Sequence, residues 1–383
     1  MCGYYSALAS AYSNPYRLTN YAVYLTHPLL RLKTDMLLGD EAHKIEQIVR
    51  GHTAVYLSGG MCRAVGLDFP KYATTLYDLM AWARKIQSRT KRLTAAEHRP
   101  LKEAVQTLAT LSPRTPESDW LVEASSGYVR VRPIWARSLT RSELFGQTKK
   151  VVLMSATLMG PDWLARSLGL YPGSWAYLDM ASPLPPQSRP VYFSPIVGMN
   201  AEATHSASSP ARDRMQVAID GLIGHYLTQG KYAGLIHTVS HLYTDRVLTE
   251  SRWRDIMTRE PTEHARRILS GRPSVLVAPN LVEGWDGMDD LCRFIIIPKV
   301  PFPDLGDKIV NIRKQQEPGS FDYAALVSVV QAAGRGVRHS LDYCDTWILD
   351  ANWHRLFQKR RLWLPRSFLD AYRGQTQLIT NNI

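Results

Sequence analysis

From about residue 190 onward the chain alternates short apolar runs with helix-patterned segments, and this alternation leaves few folds open. The runs are YAGLIHT, SVLVAPN, CRFIIIPKV and DTWILDA. They are of strand length, rich in Val and Ile, and lack the in-out alternation of a half-exposed strand, as parallel strands covered on both faces do. Between and before them stand RMQVAIDGLIGHYL, a segment starting near Ser240, and one near 321 to 338, each with helical spacing. Strand and helix in repeated succession predict βαβ units and a parallel sheet, hence an α/β fold.

The upstream half is less regular. Residues 18 to 38 hold two apolar runs, LTNYAVYL and DMLLGD, the second ending on an acidic cluster as a buried parallel strand would. From Gly66 to about Thr110, Leu76, Leu79, Met80, Ala83 and Ile86 recur at helical spacing among basic residues. Strand character returns over 127 to 158 in GYVRVRPI and KKVVLMSATL. Pro183, Pro185, Pro186 and Pro190, followed by NAEATHSASSPA, place a domain boundary near 180. A chain of 383 residues exceeds one ordinary core, so two domains with an insertion are expected: 1–65, a helical insertion 66–126, 127–180, and 181–383.

Lys and Arg exceed Asp and Glu by 46 − 34 = +12, a balance that attracts polyanions. Four cysteines, Cys2, Cys62, Cys292 and Cys344, are too sparse for a disulfide framework and fit a reducing cytoplasm. No run of 18 apolar residues occurs, so no membrane span is expected.

Four strings carry chemistry. Asp40-Glu41-Ala42-His43 follows the apolar Met36-Leu37-Leu38 through Gly39. In that setting one carboxylate, Asp40, suits Mg²⁺ on a nucleotide and the other, Glu41, suits a water attacking the γ-phosphate. The plainer reading is two solvated acids at a helix start. Ser155-Ala156-Thr157 ends the run VVLM, and its hydroxyls suit either the acidic box or an ordinary turn. Glu283-Gly284-Trp285-Asp286-Gly287 interrupts two apolar strands with acids, glycines and an aromatic, a loop composition suited to binding. Gln331-Ala332-Ala333-Gly334-Arg335-Gly336-Val337-Arg338 places two guanidinium forks three residues apart, on one face if helical, able to meet transition-state charge on a phosphoryl group. Gly334 allows close backbone approach, and Gln331 lies one turn before it.

In this order the strings resemble motifs II, III, V and VI of superfamily 2 helicases, and finer details resemble the DinG/XPD branch. These are Cys2-Gly3-Tyr4-Tyr5, similar to that family's last cluster cysteine, and Thr19-Asn20-Tyr21, similar to its following strand. VRPIWARSLTRSELFGQTKKVVLMSATL, PKVPFP, YAGLIHTVSHL and LDANWHRLFQKRRLWLP are similar to other stretches of the family. The resemblance implies two RecA-like domains, the first incomplete, with a mostly helical Arch-like insertion, binding ATP and Mg²⁺ in the cleft between them. It implies travel 5′ to 3′ on single-stranded or forked DNA. Asp40, Glu41, His43, Gln331, Arg335 and Arg338 would be catalytic, with Asp40 on Mg²⁺. Ser155, Thr157, Glu283, Gly284, Asp286 and Gly334 would couple nucleotide to DNA, which Thr238, Ser240 and Trp285 would contact.

One departure stands out. No GxxxxGK[ST] loop occurs, and the nearest Gly230-Lys231 is followed by Tyr232. In this family that loop lies well before the acidic box, and here 39 residues precede Asp40. The expectation is therefore a second polypeptide that supplies this Walker A half. Cys2, without three partner cysteines, cannot hold a [4Fe–4S] cluster unaided. The alternative is a non-catalytic nucleic-acid-binding protein that keeps the helicase fold.

Overall fold

The computed structural model describes residues 2–27, 30, 34–146, 148–279, 287 and 289–378. The chain forms two compact units, Met1–Ala176 with Asn311–Arg313, and Tyr177–Val310 with Lys314–Ile383.

The first unit has strands β1 (Thr34–Gly39), β2 (Val55–Ser58), β3 (Trp120–Ala124), β4 (Tyr128–Pro133) and β5 (Thr148–Leu153). β1 and β5 pair in parallel, with Met36 opposite Lys150, Leu38 opposite Val152 and Gly39 opposite Leu153. This register puts Met36, Leu38 and Val152 on one face. They are 50%, 60% and 41% exposed, with Met154 beyond them at 45%, so an apolar stripe is open on a parallel ribbon.

β2, β4 and β3 form a separate antiparallel sheet in that order. The sequence reading assigned GYVRVRPI to the closing part of the first parallel domain; the structure instead pairs it with β3, which lies within the expected helical insertion. The reason is visible in its alternation: Val129, Val131 and Pro133 are buried while Tyr128 and Arg130 are exposed, the pattern of an antiparallel strand with one covered face. The helices Leu76–Lys91 and Arg99–Thr110 pack together beside it. Thr75 opens the first with a capping box to Asp78, and Leu76, Leu79, Met80, Ala83 and Ile86 form its buried face.

LTNYAVYL is not a strand. Asn20 accepts the Val23 N–H at 2.9 Å through its side chain and starts a helix over Tyr21–Thr26. A good N-cap here overrides the strand propensity of Tyr and Val.

The second unit is built on seven parallel strands: β6 (Val191–Val197), β7 (Ala233–His237), β8 (Met257–Thr258), β9 (Ser274–Ala278), β10 (Phe294–Ile297), β11 (Asp345–Asp350) and β12 (Tyr372–Gln375). Their order is β12-β6-β11-β10-β7-β9-β8. Every residue of β7, β9 and β10 is buried, as wholly apolar runs require. The helix Pro210–Thr228 covers one face, and its Tyr226 ring stacks on Phe294 at 4.4 Å. Gly234 makes room for that ring: a Cβ there would lie 2.1 Å from Phe294 Cζ. The Tyr226 hydroxyl donates to Asp345 Oδ2 at 2.7 Å and accepts from Trp347 Nε1 at 2.7 Å, so this buried hydroxyl is satisfied on both sides. At the far end of β11, buried Asp350 accepts the N–H groups of Met199 (3.0 Å), Asn352 (2.9 Å) and Val300 (2.8 Å). It ties β6, β10 and β11 together where their loops leave the sheet.

Candidate functional site

In the first unit the site begins at the carboxyl end of β1. The Gly39 carbonyl accepts Met154 N–H at 2.8 Å, and Ala42 N–H donates to the Met154 carbonyl at 3.0 Å, so the acidic box and the SAT segment are stitched together by backbone. Asp40 and Glu41 are exposed between these bonds. Glu41 takes a left-handed conformation, φ 49°, uncommon for a residue with a Cβ, and its N–H donates to Asp40 Oδ1 at 2.8 Å.

Tyr21 supports the turn from behind, donating its hydroxyl to the Asp40 carbonyl at 2.6 Å. Burial, then the charges of Asp40 and Glu41, push its pKa up to about 12, so it stays a donor at any working pH. Gly39 leaves room for it, since a Cβ there would lie 2.8 Å from the Tyr21 hydroxyl. The sequence reading marked Tyr21 by resemblance alone and gave it no role.

The SAT hydroxyls reach the box through His43. Its Nδ1 lies 2.8 Å from Ser155 Oγ and 3.3 Å from Glu41 Oε2. Ser155 Oγ is in turn 3.2 Å from Thr157 Oγ1 and accepts the Thr157 N–H at 3.1 Å. His43 Nδ1 thus stands between Glu41 and Ser155, hydrogen-bonded to the hydroxyl and, when protonated, ion-paired with the carboxylate, and Ser155 continues the path to Thr157. Two solvent-facing carboxylates at a strand end offer the hard oxygen donors that Mg²⁺ prefers.

In the second unit the helix Gly319–Ala333 carries Gln331, half-buried, in its last turn, and Gly334 caps it. The expectation that Arg335 and Arg338 share a helical face is therefore wrong: the helix stops before them and they lie on the turn that follows. A Cβ at Gly334 would make only ordinary contact, 3.4 Å from the Val330 carbonyl, whereas at Gly336 it would lie 2.2 Å from Cys344 Sγ. The close approach assigned to Gly334 belongs to Gly336, the second glycine of the string. Arg335 is half-buried and Arg338 exposed.

His237, at the end of β7, was not singled out from sequence. It is buried, and burial, followed by the nearby charge of Arg335, lowers its pKa from 6.5 to about 4. Because the folded pKa is depressed, the neutral ring contributes stability above the unfolded value of 6.5, and this is lost as pH falls toward about 4. Thermal melting across that window should show a loss on the order of 3 kcal/mol from this group. His237→Phe should flatten the pH dependence; wild-type and variant curves that stay parallel would rule the assignment out.

Ser240 accepts the Tyr243 N–H at 3.2 Å and caps the helix His241–Glu250. Thr238, expected to face DNA, is fully buried, and its hydroxyl lies 2.6 Å from that of Thr244, so its side chain is committed to the interior. Glu283, Gly284, Trp285 and Asp286 lie outside the described residues. Cys2 is exposed at the start of the helix Gly3–Ser13, while Cys62, Cys292 and Cys344 are buried.

Residues 238–368 match the helicase C-terminal domain family. The ATP-dependent DNA helicase XPD of Sulfolobus acidocaldarius is 23% identical over 229 residues, covering 55% of this chain and 41% of that protein. Over these stretches the chain is similar to DNA helicases of the XPD kind. The ATP-dependent DNA helicase CHL1 of Saccharomyces cerevisiae is 28% identical over 116 residues, covering 25% of this chain and 14% of its own length. The chain thus spans less than two thirds of the length of these curated relatives. A solved XPD helicase superposes with a TM-score of 0.53 at 18% identity, covering 88% of this chain and 68% of that one. An apo XPD structure superposes with the same TM-score at 16% identity, covering 92% and 80%. Among the described residues no helix is long and apolar enough to cross a membrane.

Proposed function

We propose that this DinG/XPD-type chain carries the motor residues of an ATP-dependent DNA helicase acting on single-stranded or forked DNA. The observation that supports this most is the path from Glu41 through His43 and Ser155 to Thr157, since a solvated acid pair has no need of it. The helicase C-terminal match and the net charge of +12 agree with a nucleic-acid track.

In this reading Asp40 holds Mg²⁺ and Glu41 orients and deprotonates the attacking water. Bound Mg²⁺ and ATP supply phosphoryl-transfer chemistry. Arg335 and Arg338 offset charge on the transferring group, and Gln331 aligns with them. Ser155 and Thr157 pass the nucleotide state on, and Glu283, Gly284, Asp286, Trp285 and Ser240 are assigned to coupling and to the DNA. Residues 1–383 contain no GxxxxGK[ST], so turnover draws its phosphate-binding loop from outside them, in this proposal from a second polypeptide. A 5′ to 3′ direction follows the family resemblance.

A second reading is a nucleic-acid-binding protein without turnover, which the net charge of +12 supports equally. Fluorescence anisotropy with single-stranded DNA tests what both readings share. Binding should weaken linearly in log salt as counterions are released, with little dependence on base sequence. Absence of binding at low salt would exclude both readings. Strand displacement from 5′-tailed but not 3′-tailed duplexes would support the direction, and the reverse would overturn it.

A further inference from the structure

Asp342 lies four residues beyond the arginine motif, in a segment given no role above, and is 1% exposed. Its Oδ2 accepts the N–H of Arg338 at 3.2 Å and that of Asp289 at 3.3 Å. Its Oδ1 accepts Arg293 Nη1 at 2.9 Å and its neighbour's N–H, Tyr343, at 2.8 Å. Four donors fill the acceptor capacity of both oxygens.

Each donor comes from a different place in the machinery. Arg338 ends the arginine motif. Asp289 directly follows the residues 280–288 that contain the EGWDG string. Arg293, just before β10, also reaches Asp290 Oδ1 at 2.8 Å and lies over the Tyr343 ring at 4.3 Å. Asp289 itself is held with φ 52°, and its Oδ1 lies 2.7 Å from His339 Nε2. A non-glycine residue keeps that conformation only where its surroundings fix it.

Asp289, His339 and Asp342 also bring three potential metal-ligand atoms within 4.8 Å of one another. With both Asp342 oxygens occupied and the Arg293 guanidinium alongside, a cation would have to displace an existing ion pair. The geometry favours a tie made of protein alone.

We propose that Asp342 is a positioning residue that fastens the backbone of Arg338 to that of Asp289, so that the end of the arginine motif and Asp289 move as one piece. Its consequence for turnover rests on the helicase reading above; the tie itself does not.

Two measurements separate these. Site-resolved amide hydrogen exchange on the chain should show Arg338 and Asp289 exchanging about tenfold faster or more in Asp342→Ala, as expected when buried charge-assisted bonds are lost. Amides within the helix Gly319–Ala333 should be unchanged. Asp342→Asn, which keeps the shape and one acceptor oxygen, should fall between and guards against simple misfolding. Unchanged exchange at both amides, or equal acceleration throughout the unit, overturns the proposal whether or not the protein is a helicase.

In a preparation that hydrolyses ATP, Asp342→Asn should lower kcat with little change in KM for ATP. Combined with Arg338→Ala it should be no worse than Arg338→Ala alone, because both variants remove the same placement. Additive losses would mean that Asp342 acts only through general stability. Absence of ATP hydrolysis would count against the helicase reading and leave the exchange result to decide the tie.

Discussion

Replacing Arg335 by alanine should reduce ATP turnover by roughly 10³- to 10⁵-fold, the range for loss of an arginine that meets transition-state charge on a γ-phosphoryl group. The assay is steady-state hydrolysis with saturating single-stranded DNA, in a preparation that turns over ATP. Arg335→Lys should recover little, because a point charge cannot reproduce the planar fork that addresses two oxygens at once. DNA affinity should stay close to wild type. Arg335 is half-buried and close enough to His237 for its charge to lower that ring's pKa. A loss smaller than tenfold would remove Arg335 from the phosphoryl-transfer step.

Glu41→Gln should lower kcat by roughly 10²- to 10⁴-fold, the usual worth of a general base, while nucleotide and DNA binding persist. The substitution is nearly isosteric. The left-handed turn at Glu41 and the Tyr21 bond to the Asp40 carbonyl are main-chain features that a glutamine preserves. The loss would therefore report proton transfer and not folding. Thermal melting within a few degrees of wild type, measured alongside, completes the comparison. Near-normal turnover would show that Glu41 is one of two solvated acids and nothing more.

Much of the second unit was legible in the sequence. YAGLIHT, SVLVAPN, CRFIIIPKV and DTWILDA all became parallel strands because runs apolar on both faces have nowhere else to go. The first unit was harder to read for the same physical reason. GYVRVRPI carries its preference in a two-residue alternation, which specifies one covered face but not which sheet supplies the neighbours. Thr19-Asn20-Tyr21 resembles a strand of the family, and a single asparagine cap decides otherwise.

The candidate site divides in a similar way. Asp40, Glu41, Ser155 and Thr157 were singled out because strand ends and short hydroxyl strings are local signals, and His43, named catalytic by resemblance, is the residue that lies between the two strings. Arg335 and Arg338 were found as residues but placed on the wrong geometry, since the helix ends at Gly334, before either of them. Tyr21, His237 and Asp342 act through contacts 19, 98 and 53 residues away along the chain, and no local pattern announces them.

The most direct test is DNA-stimulated ATP hydrolysis, measured for the 383-residue chain alone and mixed with a polypeptide that carries a GxxxxGK[ST] loop. The account expects hydrolysis that requires single-stranded DNA, appears in the mixture and disappears with Glu41→Gln. DNA binding with no hydrolysis in either preparation would contradict it and leave a helicase fold that only binds.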